Sequence, residues 1–107
     1  MSVWVVQHFS VREGDRDACL AALRLIGEHI EVEHPEILAV RTEWQWVGDR
    51  AHRAFSWAEE FASLTAIDES AHTPGCDDVW RPVLAMITDG THLRGVWTGA
   101  EPSWSRT

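Results

Sequence analysis

The stretch 37–47 constrains this chain most, because it reads as a strand and is apolar on both faces. Side chains alternate along a strand, so one face takes Leu38, Val40, Thr42, Trp44 and Trp46. The other takes Ile37, Ala39, Arg41, Glu43, Gln45 and Val47. An antiparallel sheet with one wet side is polar on one parity. Here Ile37, Ala39 and Val47 keep the second parity greasy, so both faces call for cover. Helices of the same chain supply one layer. The other is expected from a second copy, most economically by two-fold pairing of sheets. The alternative cover is the chain's own tail, residues 99–107, folded back through Trp104.

The flanking segments complete the pattern. Residues 3–11 read as a first strand, with Val3, Val5, Gln7, Phe9 and Val11 on one face and Trp4, Val6, His8 and Ser10 on the other. Arg12-Glu13-Gly14-Asp15 is a turn, and Asp15 is placed to cap the next segment. The spacing predicts a helix over 16–33, its apolar stripe formed by Cys19 or Leu20, Leu23, Ile26 and Ile30. His34-Pro35 ends it, since the residue before proline is driven out of the helical region. Gly48-Asp49-Arg50 is expected to turn the second strand into a third at 51–57. A helix is expected over 58–70, with Phe61, Leu64 and Ile67 or Asp68 facing inward, before Thr73-Pro74-Gly75 breaks it. Asp77-Asp78 opens a short helix carrying Trp80, and Asp89-Gly90 leads into a last strand at 91–98.

Strand, helix, strand, strand, helix in two pieces, strand is the split βαβ order, βαββαβ. The expected class is therefore α+β: a ferredoxin-like, four-stranded antiparallel sheet with helices on one face. The first and third strands are central and the last lies beside the first. Residues 1–98 form one domain and 99–107 a tail.

Charge narrows the partners. Nine basic residues, all arginine, stand against seventeen acidic ones, a net charge of −8 in 107 residues. Nucleic acid and anionic membrane surfaces both require a basic face, so neither is expected as a partner. No apolar run approaches the roughly 20 residues of a membrane span. No basic leader precedes the first strand, and a cytoplasmic protein with reduced Cys19 and Cys76 is expected. Seven Trp and no Tyr supply broad flat surfaces for a core, an interface or an aromatic ligand.

Histidine is the residue poised to exchange protons near neutrality. His8 ends the first strand and His92 begins the last, so antiparallel pairing brings their positions together. Arg94 shares the parity of His92 and suits an anionic oxygen. His72 closes the helix before Thr73, and Trp57 and Trp80 offer walls for a planar guest. His52 reads as hairpin surface. His29 and Glu33 are spaced i,i+4, and with His34 and Glu31 they raise a metal reading, but no third ligand stands at defined spacing. No metal is therefore expected. Phosphate-binding loops, a nucleophile elbow and nucleotide-cofactor fingerprints are missing, so no cofactor is expected either.

The chain resembles the dimeric α+β barrel superfamily, and within it antibiotic-biosynthesis-monooxygenase-like domains. The resemblance spans roughly residues 3 to 98. It is carried by the first strand running into Arg12-Glu13-Gly14, by His34-Pro35-Glu36-Ile37-Leu38, and by Trp57-Ala58-Glu59-Glu60-Phe61 leading to Ser70-Ala71-His72. It implies a homodimer, a ligand chamber between sheet and helices of each subunit, and functional roles for His72 and Trp57. The Asn–Trp–His set of haem-degrading relatives does not transfer, since the chain has no Asn. Neither does the Tyr of quinone-forming relatives. The resulting expectation is an enzyme acting on an aromatic or polyketide-like small molecule, as a cofactor-independent monooxygenase or a cyclase/isomerase. In it His72 or His8 removes a proton, Arg94 or His92 steadies the oxyanion, and Trp57 and Trp80 orient the substrate. The alternative is a non-catalytic dimeric module binding a hydrophobic ligand such as haem.

Overall fold

A computed structural model of the protein describes residues 3–49, 51, 53–71 and 76–98. The elements run β1 (Val3–Ser10), α1 (Arg16–Glu33), β2 (Ile37–Trp44), β3 (Ala54–Phe61), α2 (Leu64–Ala71), α3 (Cys76–Leu84) and β4 (Leu93–Thr98). The strands form one antiparallel sheet in the order β2-β3-β1-β4. This is the expected ferredoxin-like arrangement, with β1 and β3 central and β4 beside β1.

Helix α1 has the expected bounds and buries Cys19, Leu23, Ile26 and Ile30. That spacing of three and four residues lays one stripe along the sheet. The stripe meets Phe9 and Val11 of the β1 end, Phe55 and Trp57 of β3, and Trp80 and Val83 of α3 in one core. Asp15 stands at the cap position, but its carboxylate accepts no hydrogen bond from the helix. Oδ2 instead accepts from Arg12 Nε at 3.1 Å across the Gly14 turn, where φ is +92°.

The middle of the chain departs from the expected boundaries. β2 ends at Trp44 rather than at Val47, and β3 starts at Ala54 rather than at Ala51, so a longer loop replaces the tight hairpin. Ala58-Glu59-Glu60-Phe61 is strand, not the start of a helix. These residues have helical propensity, but pairing on both sides overrides it: Glu59 lies opposite Val5 on β1 and Val40 on β2. Phe55, Trp57 and Phe61, all buried, keep the period of two to the strand's end. The helix then begins at Leu64, where Ser63 Oγ accepts from the Ala66 N–H at 3.2 Å. Leu64 is consequently exposed instead of facing the core.

A β-bulge between Ile37 and Ala39 changes which residues of β2 share a face. Ile37 lies opposite Phe61 on the helix side, whereas Ala39 lies opposite Glu60 on the outer side. Val40, Thr42 and Trp44 therefore turn toward the helices, and Ala39, Arg41 and Glu43 turn away. The apolar surface of the outer face comes chiefly from the other strands: Trp4 and Val6 of β1, and Leu93 and Trp97 of β4, the last two more than 60% exposed. Arg41 lies over the Trp4 ring, 5.3 Å from its centroid. No helix among the described residues is long and apolar enough to cross a membrane.

Candidate functional site

On the helix side of the sheet the pairing of β4, β1 and β3 sets out a row of polar side chains. Arg94 lies opposite Gln7, and Gln7 opposite Trp57. His92, just before β4, places its ring edge-on to Phe9 at 6.1 Å between centroids. Its Nε2 is 2.7 Å from Gln7 Oε1. A carbonyl oxygen only accepts, so Nε2 carries the proton and donates, leaving the Nδ1 lone pair to take one up. Burial, and then the Arg94 charge, hold the His92 pKa below its ordinary value. The ring is thus a neutral base at neutral pH.

The row continues through Trp57, whose Nε1 donates to Glu59 Oε2 at 2.9 Å. Burial raises the Glu59 pKa above the usual carboxylate value. The Trp57 hydrogen bond, His34 and Arg94 pull it back only in part, and Glu36 adds to the rise. At the far end the α1 terminus delivers His34, which is 1% exposed and donates from its backbone N–H to the Ile30 carbonyl. His34 Nδ1 is 2.9 Å from Glu36 Oε1. Burial opposes ionisation of Glu36, but hydrogen bonds from its own backbone, His34 and Ser70 outweigh it, and its pKa falls below the ordinary value.

The expected site residues fall into different places. His92 and Arg94 share the helix side. His8 and Leu93 are paired, so His8 and His92 are neighbours along the backbone, yet His8 points to the outer face. There it lines an open groove of about 640 Å³ with Ser10, Glu43, Asp49, Ser56 and Leu93. The sheet itself separates the two imidazoles. Trp57 and Trp80 meet edge to face, 5.2 Å apart at 87°, and fill each other's space in the core. A planar guest between them has no slot. His72 and His52 lie outside the described residues, as do Thr73-Pro74-Gly75 and the tail with Trp104.

Gln7, Glu36 and Glu59 escape a reading of the sequence. Glu59 is hidden by the helical propensity of its segment, although its alternation with Trp57 and Phe61 marks it as inward-facing. His34 stands out there as a helix stop and a metal-ligand candidate, not as the partner of Glu36. Among the described residues no three His, Cys, Asp or Glu side chains come together as a metal-ligand set.

No protein-family model matches the sequence, and no curated protein matches it. Solved structures do match it along nearly its whole length. The cofactor-independent oxygenase SnoaB from Streptomyces nogalater superposes with a TM-score of 0.75 at 13% identity, covering 94% of this chain and 95% of its own. An antibiotic biosynthesis monooxygenase gives 0.71 at 16% identity, covering 92% and 98%. A dimeric protein of ferredoxin-like fold from Bacteroides fragilis gives 0.70 at 10% identity, covering 90% and 94%. At these identities the likeness is one of fold. That fold is the ferredoxin-like one of antibiotic-biosynthesis-monooxygenase-like proteins, which the sequence resemblance implied.

Proposed function

We propose that the chain is a small-molecule enzyme acting on an aromatic or polyketide-like substrate without a bound organic cofactor, as a monooxygenase or a cyclase/isomerase. The observation that carries this reading is the pairing of His92 with Arg94 on one strand face. His92 is neutral, with its tautomer set by Gln7, and Arg94 brings a permanent positive charge two residues away. Nδ1 of His92 takes a proton from a phenol or an activated carbon, and the guanidinium stabilises the oxyanion left behind. His72, just beyond α2, is the second proposed base. Trp57, buried against Trp80, backs this face from within the core and does not itself present a wall to the substrate. The resulting enolate-like anion either reacts with dioxygen or closes on an internal electrophile. The fold it shares with a cofactor-independent oxygenase supports the first course.

A homodimer belongs to the same proposal. The outer face, with Trp4, Val6, Leu93 and Trp97, is the apolar surface a second copy would cover. His8 lines the groove on that side, so any role it has lies there.

Oxygen uptake with anthrone as a carbon acid tests the chemistry: anthrone and dioxygen give anthraquinone and water. Protein-dependent uptake is expected to fall by roughly 100-fold or more in His92→Ala. Uptake unchanged in His92→Ala and in His72→Ala overturns the mechanism.

A further inference from the structure

Two imidazole nitrogens near the end of the polar row have no part in the proposed proton transfer. Nε2 of His29 and Nε2 of His34 are both buried and have no hydrogen-bond partner among the described residues. Their rings lie 5.2 Å apart between centroids, tilted at 59°. An unpaired buried polar group costs about 1–3 kcal/mol, and native interiors rarely leave one, let alone two side by side. The two nitrogens also differ in what they need. His34 Nδ1–H donates to the Glu36 carboxylate, and in the neutral ring Nε2 is then an acceptor in want of a donor. In its Nε2–H tautomer His29 presents the complementary donor. A direct bond between the rings is not made. One O–H group fits both demands at once, since it donates to one nitrogen while accepting from the other. Two hydrogen bonds of about 2.8 Å to one oxygen span up to about 5.6 Å, the same scale as the 5.2 Å between the ring centroids.

We propose that His29 and His34 form a receptor for a single hydroxyl group: a water molecule in the free protein, and a phenolic or enolic hydroxyl of the substrate in the complex. Glu36, itself held by Ser70, acts as a positioning residue that fixes the His34 tautomer. The substrate part of the proposal rests on the aromatic-ligand reading of the site and adds a specificity to it. The receptor selects ring systems bearing a free hydroxyl at the end remote from His92. Methylation of that hydroxyl removes the proton His34 requires, and a receptor built for a donor penalises a guest without one.

The test uses the full chain with two probes, 2-naphthol and 2-methoxynaphthalene. In the free protein, nuclear Overhauser contacts between long-lived water and the His29 and His34 ring protons are expected. 2-Naphthol should displace that water, shift the His34 Nε2 resonance, and bind about tenfold more tightly than the methyl ether. His34→Phe keeps the ring shape and should bind both probes equally; Glu36→Leu should reduce the preference. The ring-nitrogen measurements on the unmodified protein decide the matter even if those variants misfold. Equal binding of the two naphthalenes by the unmodified protein overturns the substrate receptor while the aromatic-ligand reading stands. Binding of neither counts against that reading and overturns the substrate half. Rings without a water contact overturn the receptor in the free protein.

Discussion

His92 Nε2 and Gln7 Oε1 meet at 2.7 Å although 85 residues separate them in the chain. The β1–β4 pairing makes the contact, and the contact sets the protonation of the ring. A histidine held in one tautomer beside a fixed cation behaves differently from a free surface histidine, and the difference is measurable.

Replacing Arg94 by Met should raise the His92 pKa, because a positive charge that disfavours the imidazolium is lost. The value should remain below the ordinary one, since burial, the larger cause, persists. Titration of the His92 ring resonances checks both halves.

The two carboxyls of the site give stability profiles of opposite sign. The Glu59 pKa is raised on folding, so its contribution is fully present below the unfolded value and is lost as pH rises through the folded value. The Glu36 pKa is lowered, so its contribution is present above the unfolded value and is lost as pH falls through the folded one. Urea midpoints measured across the acid range should decline less with rising pH in Glu59→Gln than in the unmodified protein. In Glu36→Gln the loss toward low pH should diminish instead.

Trp57 is 2% exposed and packs against Trp80. Trp57→Ala should cost about 3–5 kcal/mol in denaturant unfolding, the range for a large aromatic removed from a core. Trp57→Phe should cost less and should push the Glu59 pKa still higher, because the indole N–H that steadies its carboxylate is gone.

Cys19 is fully buried within α1, and its pKa is pushed up to about 11, by burial first and then by Asp15. In a Cys76→Ser background, a thiol reagent at pH 8 should label Cys19 only as fast as the protein opens. Labelling should become rapid in denaturant. Fast labelling of the folded protein contradicts that burial.

Trp97 stands 61% exposed on the outer face of the edge strand β4. Sedimentation at micromolar concentration should show a dimer. Trp97→Glu should shift it toward monomers, since the charge would have to be buried without a partner. Single chains throughout in the unmodified protein refute the covering of this face by a second copy.

Local pattern sufficed for much of the architecture. The stripe Cys19, Leu23, Ile26 and Ile30, the stop at His34-Pro35, and the alternation of β1 are all short-range signals, and they determined α1, β1 and the order of elements. Tertiary structure alone decided the rest. Ala58-Glu59-Glu60-Phe61 became strand because β1 and β2 pair with it from both sides, an interaction that helical propensity does not register. The bulge before Ala39 reversed the faces of β2, because one extra residue in a strand exchanges inside for outside. Strand register likewise put His8 and His92 on opposite sides of the sheet, while Gln7, Glu59, His34 and Glu36 were assembled from separate segments. A sequence records the periodicity of each segment, but which chemical groups share one side of a sheet depends on register, and register is set only when the strands meet.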